Sequence, residues 1–172
     1  NLYKARWLAD TADMMGLLQQ GKVHVSFIGG AQIDRFGNLN TSYIGGFDTL
    51  ETRLPGSGGA CDVASFVSRA IIFMQHEKRK FVPEVDYLTS PGWLGGRDAR
   101  KKAGLPGGGP TAVVTDKALM GFEETTGEMY LKGRYPGISA QNILENMGFD
   151  MDTSRAGRVS PPSAAELSVL RD

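Results

Sequence analysis

Cysteine is nearly absent: Cys61 stands alone among 172 residues. One thiol cannot close an internal disulfide, and a reducing cytoplasm is the simplest home to expect. Only two histidines accompany it, too few for a convincing zinc set. His76-Glu77 begins like a metalloprotease helix, but the place of the second histidine is taken by Lys80, so no metal site is expected. An excess of charge is missing as well, with 19 Lys and Arg against 19 Asp and Glu. That balance gives no electrostatic reason to expect nucleic acid or an anionic membrane as partner. Near-neutral proteins resist association poorly, which favours a partner subunit. No run of about 18 apolar residues occurs, so nothing is expected to span a bilayer. The opening residues Asn1 to Trp7 lack an initiator Met and the cation-then-apolar block of a signal peptide, and a processed or trimmed chain is expected.

Glycine is what the chain has in excess. There are 23, well above the roughly 7% share of an average protein. They cluster at 29–30, 45–46, 56–59, 92–96 and 104–109, between stretches that read as regular structure. Turn chemistry accounts for such clusters, and close approach of another group to the backbone is the alternative, best suited to 56–59. The apolar fraction of 41% is ordinary, and the length suits a single α/β domain over residues 1–172.

Thr11 to Gln20 predicts a short helix stopped by Gly21. Lys22 to Ile28 alternates and then turns apolar, as a strand entering a core does. A turn at Asp34–Asn38 leads to an expected strand from Leu39 to Ile44, followed by a long loop from Gly45 to Gly59. Ala60 to Ser68 reads as a helix with Asp62 in its first turn. Ala70–Met74 and Thr111–Thr115 are apolar runs of the buried parallel-strand kind, with a shorter strand expected at Val85–Thr89. Pro91 to Pro110 reads as an exposed excursion, and the turn at Glu123–Gly127 as a late hairpin between Phe122 and Met129–Leu131. Ser139 and Ser163 are expected caps of two further helices, the first ending near Met147 and the second at Arg171. The sum is an open, mostly parallel sheet with flanking helices plus a late hairpin.

Among chemical motifs, Leu54-Pro55-Gly56-Ser57-Gly58-Gly59-Ala60 stands before a helix, where backbone N–H groups form a concavity for negative charge. It is neither a P-loop, lacking the closing Gly-Lys-Ser/Thr, nor a Rossmann fingerprint. Cys61 at a helix start is placed for thiolate formation, against a small packing role. His24 in an alternating strand reads as structural, Glu123 and Glu124 as a solvated hairpin face, and Lys78-Arg79-Lys80 as surface.

Several stretches, taken in order, resemble β-type subunits of family I coenzyme A transferases, those of the glutaconate type above all. They are Phe27–Asp34, Gly37-Asn38, Gly56–Ala60, Met74–Arg79, Thr89–Trp93, Val114–Lys117 and Leu144–Asp150. The likeness is collinear from about residue 13 to the end, and it identifies the chain as the C-terminal portion of such a subunit. It implies an open α/β fold, no permanently bound cofactor, coenzyme A as substrate, and acyl-CoA and carboxylate substrates. As partners it implies an α-subunit and the upstream part of the β-subunit. It further implies a ping-pong reaction in which a glutamate attacks the thioester. Gly58, Gly59 and Ala60 carry over as backbone oxyanion donors. Gly30, Ala31, Gln32, Gly56, Ser57 and Cys61 carry over as wall of the acyl-CoA cleft.

Two departures from the family pattern stand out. The family's nucleophilic glutamate lies well upstream of the Gly-Gly-Ala-Gln stretch, and no glutamate occurs here before Glu51, so the nucleophile is expected outside this chain. Cys61 replaces another residue type common in relatives. The same fold running thioester hydrolysis or decarboxylation, and a non-catalytic interface subunit, are the alternative readings.

Overall fold

The computed structural model describes residues 4–171. Its first helix, α1 (Thr11–Gln19), starts at a capping box: the Asp10 carboxylate accepts from the Asp13 N–H at 2.8 Å, and Asp13 accepts in return from the Asp10 N–H. The first strand, β1 (Val25–Ile28), begins later than the alternating pattern of residues 22–28 implies. Beyond it the chain forms small paired strands instead of one long one. β2 (Gln32–Ile33) pairs antiparallel with β3 (Leu39–Asn40), and β4 (Tyr43–Gly45) with β5 (Leu50–Arg53). The expected strand over 39–44 is thus split at Thr41 and Ser42, and the expected loop over 45–59 contains a strand.

Helix α2 (Ala60–Phe66) follows, stopping two residues short of Ser68 because Val67 turns extended. The apolar run at 70–74 is β6 (Arg69–Phe73), and the segment expected to be a wholly irregular excursion holds helix α3 (Arg97–Lys102). β7 (Pro110–Val114), β8 (Ala118–Phe122) and β9 (Met129–Arg134) complete the centre of the sheet. The hairpin turn lies between β8 and β9, where the Gly127 N–H donates to the Glu123 carbonyl at 3.0 Å. Helix α4 (Ala140–Glu145) is capped by Ser139, as its sequence implies. A short strand, β10 (Gly157–Arg158), and a terminal helix, α5 (Ala164–Arg171), end the described chain.

One six-stranded sheet runs in the order β1-β6-β7-β8-β9-β10. The β1–β6, β6–β7 and β9–β10 pairs are parallel, and the two hairpin-like pairs around β8 are antiparallel. Ile72, Val113, Met120 and Leu131 point to one face and are wholly buried among Ile33, Leu39, Phe81 and Trp93. A smaller core of Leu18, Val67 and Ala70, joined by Met15 and Val63, seats α1 and α2 against β1 and β6. The other face is open at its β1 end: Phe27 is 66% and Phe73 49% exposed, with ring centroids 5.5 Å apart. Parallel sheets are ordinarily covered on both faces, so this face departs from the rule.

No strand forms at Val85–Thr89. The segment bonds sideways instead: the Asp86 N–H donates to the Gln32 side chain at 3.0 Å, and the Thr89 and Ser90 N–H groups both donate to the Leu39 carbonyl. One side-chain oxygen and one shared backbone carbonyl replace the strand neighbour that propensity alone foresees. No helix among the described residues is long and apolar enough to cross a membrane.

Candidate functional site

The glycine turn ahead of α2 is built by tethers to a neighbouring strand end. The Leu54 N–H donates to the Ser42 carbonyl at 3.0 Å and the Gly56 N–H to the Thr41 carbonyl at 2.8 Å. Gly58 takes a φ of 50°, which a residue with a side chain seldom adopts. The turn closes as the Ala60 N–H donates to the Ser57 carbonyl at 2.8 Å, and the Val63 N–H takes the Gly59 carbonyl as the first helical bond. Among the described residues, the N–H groups of Gly58 and Gly59 find no backbone acceptor. Two adjacent donors therefore remain at an accessible turn, while Ala60, a third expected donor, is already bonded within the turn.

Gly59 is pressed from behind. A Cβ placed on it would stand 2.4 Å from the Met15 methyl carbon, so α1 and α2 touch at this point through the missing side chain. Cys61 is half-buried in the first turn of α2 and carries a free thiol. Its carbonyl accepts from the Ser65 hydroxyl at 2.7 Å.

Gly30, Ala31 and Gln32 sit on the other flank of the same strand end. The Ala31 N–H donates to the Asn40 carbonyl at 2.9 Å, the residue next to the Thr41 that holds Gly56. The fold therefore brings both expected motifs onto the consecutive carbonyls of Asn40 and Thr41, at the end of β3. Gln32, expected as cleft wall, is nonetheless buried and fully engaged. Its amide nitrogen donates to Asp86 at 2.9 Å, and its oxygen accepts from Asn40 at 2.7 Å and from the Asp86 N–H.

Asn40 is the hub of this polar network, and nothing in its sequence context singles it out. It is wholly buried, donates to Gln32 and to the Tyr43 carbonyl at 2.7 Å each, and accepts from the Ser42 N–H at 2.9 Å. The Thr89 hydroxyl bridges the Thr41 N–H and the Ser42 hydroxyl, at 2.9 and 2.8 Å. A second buried cluster lies close by in sequence. The Asp34 carboxylate accepts from the Phe36 and Asn38 N–H groups and from the Asn38 amide, and Asn38 grips Gly92 and Leu94. Burial pushes the Asp34 carboxyl above the usual carboxylate range. A cavity of about 650 Å³ opens between Asp34, Phe36, Glu84, Tyr87 and Leu94.

Arg100 is the other residue that the sequence hid. It belongs to a charge-rich stretch, yet it is only 2% exposed, and burial lowers its ordinarily very high pKa. His76 is buried as well, its Nε2 3.0 Å from the Ile143 carbonyl. Among the described residues no group of three or more His, Cys, Asp or Glu could hold a metal ion. Glu123, foreseen as solvated, is half-buried and pairs with Arg155.

Residues 3–146 match the family described as Coenzyme A transferase. The B subunit of glutaconate CoA-transferase from Acidaminococcus fermentans is 48% identical over 149 residues, covering 86% of this chain and 56% of that protein. The B subunit of 3-oxoadipate CoA-transferase from Pseudomonas knackmussii is 36% identical over 173 residues, covering 95% of this chain and 66% of that protein. The crystal structure of glutaconate coenzyme A-transferase from Acidaminococcus fermentans matches with a TM-score of 0.89 at 42% identity, over 99% of this chain and 68% of that chain. This chain thus spans between 56% and 66% of the length of the two curated relatives. With its glycine turn, α2 and strands β1 to β9 inside the matched region, the chain belongs to the coenzyme A transferase family.

Proposed function

We propose that this chain is part of a β-type subunit of an acyl-CoA:carboxylate CoA-transferase, of the glutaconate or a similar dicarboxylate or 3-oxoacid type. The observation that carries the reading is the 48% identity over 149 residues to the B subunit of glutaconate CoA-transferase. Its partners are an α-type subunit and the remaining part of the β-type subunit. The open apolar face around Phe27 and Phe73 supports a reading in which further polypeptide covers the sheet.

In this reaction a glutamate carboxylate attacks the thioester carbonyl and expels CoA thiolate, leaving a mixed anhydride. The thiolate then attacks the enzyme's acyl carbon, releasing the first carboxylate and leaving CoA on the glutamate as a thioester. An incoming carboxylate takes up the CoA by the reverse steps. A carboxylate is a poor nucleophile toward a thioester, so binding energy from the rest of CoA must be used at the reacting carbon. The negative charge on the carbonyl oxygen needs fixed donors. In this chain the Gly58 and Gly59 N–H groups take that role, and Ala60 shapes the turn. Gly56, Ser57, Cys61 and the Gly30–Gln32 arm form the adjoining wall.

The nucleophile comes from outside residues 1–172. Glu77 is paired with Arg79 and Lys80, Glu123 with Arg155, and Glu128 with Arg35. Glu145 accepts from Gln141 and Glu166 from Ser163. Glu51 and Glu124 lie on exposed hairpins and Glu84 lines the 650 Å³ cavity.

The test is to give the assembled enzyme acyl-CoA without acceptor, reduce with borohydride, and map the peptides. The reduced glutamate is expected outside this chain. A label on any glutamate between Glu51 and Glu166 would reassign the nucleophile to this chain. Release of free CoA with no covalent intermediate, and no new thioester when an acceptor acid is added, would replace transfer by hydrolysis.

A further inference from the structure

The guanidinium of Arg100 spends every one of its N–H groups on a carbonyl oxygen. Nε donates to Gly107 at 3.1 Å, and Nη1 to Pro91 and Gly92 at 3.2 and 2.7 Å. Nη2 donates to Ala64 and Ser65 at 2.7 and 3.2 Å. Among the described residues it has no carboxylate partner. Taking such a charge out of water is costly unless its hydrogen bonds are all made, and here five carbonyls from three separate segments make them.

The Ala64 and Ser65 carbonyls have a particular place in the fold. They belong to the last turn of α2, where carbonyls have no partner within the helix. The glycine-rich segment wraps this same end: the Gly107 N–H donates to Ser65 and the Gly108 N–H to Val67, at 3.0 and 3.1 Å. A Cβ on Gly107 would stand 2.6 Å from the carbonyl oxygens of Ser65 and Val67, so the approach is as close as backbone permits. The seven residues of α2 are too few to be stable as an isolated helix. Its order therefore comes from what packs on it: the Leu18, Val67 and Ala70 core along its side, Met15 behind Gly59 at one end and Arg100 at the other. At about 1.5 Å per residue the two ends are roughly 10 Å apart.

We propose that Arg100 is a positioning residue for the Gly58–Gly59 turn: by holding the C-terminal carbonyls of α2 to the 91–92 and 107 segments, it fixes the helix whose other end presents the two free N–H groups. The catalytic half of this inference rests on the transferase reading above. The mechanical half does not.

The experiment compares parent, Arg100→Lys and Arg100→Gln as the assembled enzyme, with two readouts. The first needs no substrate: the rate at which iodoacetamide alkylates Cys61, in the first turn of α2. Measured well below the melting point, where the variant is still folded, loosening of α2 is expected to raise it about tenfold, although stranding buried carbonyls also lowers the melting temperature. The second is transfer kinetics, where kcat is expected to fall by about tenfold to a hundredfold while KM for acyl-CoA stays within about twofold. A lysine offers one point charge in place of the planar fork, so Arg100→Lys rescues little. Unchanged alkylation in a folded variant overturns the clamp. Faster alkylation with unchanged kcat overturns its catalytic role. If the parent enzyme transfers no CoA, the transferase reading and the catalytic role both fail, while alkylation still decides the clamp. Should neither variant fold, hydrogen exchange on the parent decides. The α2 amides of Val63 and Val67 are expected to be protected like those of β6, and exchange many times faster would overturn the proposal.

Discussion

Asn40 and Gln32 face each other across 2.7 Å, amide to amide, and both are buried. From this pair the network spreads to Tyr43, Ser42, Thr89 and Asp86, and so to the strand end that carries Gly56 on one side and Ala31 on the other. Replacing Asn40 by Ala would strand the Tyr43 carbonyl and the Ser42 N–H and leave the Gln32 oxygen with the Asp86 N–H alone. Each buried polar group left unpaired costs about 1–3 kcal/mol, so a loss of roughly 3 kcal/mol is expected in urea unfolding. Asn40→Asp should be about as harmful, because it keeps the acceptor and loses both donors.

Gly59→Val is expected to cut transfer by about 10²–10³, the usual loss when an oxyanion donor is spoiled. The structure adds a control. A side chain at residue 59 runs into the end of Met15, so part of any damage is displacement of α1. Adding Met15→Ala should restore the melting temperature of Gly59→Val but not its rate. Recovery of both would place the fault in helix packing.

Cys61→Ala should keep transfer within about twofold of the parent. The bond that α2 makes at this residue uses the Cys61 carbonyl, not its thiol, so it survives the change. Loss of turnover in this variant would make the thiol a participant. Inhibition of the parent by iodoacetamide would not, since an adduct beside the glycine turn blocks the cleft by bulk.

His76 should make the fold sensitive to mild acid. Its Nε2–H donates to the Ile143 carbonyl, which leaves Nδ1 unprotonated 3.4 Å from the Thr115 hydroxyl. That hydroxyl already accepts from the Lys117 and Ala118 N–H groups, so a protonated ring would find no acceptor there. Burial, first of all, holds the His76 pKa below 6.5; Lys117 lowers it further, while the Ile143 bond and Asp116 oppose. The unfolded chain therefore binds this proton more readily than the folded one, and stability falls as pH drops below about 6.5. The paired carboxylates Glu77 and Asp116 have depressed values and lose their contribution only in stronger acid. Urea unfolding at pH 7.5 and 5.5 should show a smaller drop for His76→Gln than for the parent. Equal drops would mean that His76 titrates normally.

Much of the fold was legible because it rests on local physics. The apolar runs that became β6 and β7 each bury two residues, Ala70 and Ile72 in one and Pro110 and Val113 in the other, and such runs announce themselves whatever surrounds them. The Ser139 cap, the β8–β9 hairpin turn and the start of α2 after Gly59 follow from backbone conformations that few residue types favour. The family could be read from seven collinear stretches, several of which are turns and buried polar clusters around the glycine turn.

Tertiary structure alone decided the rest. Val85–Thr89 has strand-forming residues but no strand, because the side chain of Gln32 and the carbonyl of Leu39, distant in sequence, take its N–H groups. The stretch from Arg97 to Lys102 reads as surface, for a charged residue has no local pattern that separates burial from exposure. Arg100 is inside because five carbonyls from three segments converge on its guanidinium. Asn40 likewise became a hub only when Gln32, Tyr43, Ser42 and Thr89 were gathered around it. Periodicity and turn chemistry are written along the chain, whereas the satisfaction of a buried polar group depends on partners that only the folded chain brings together.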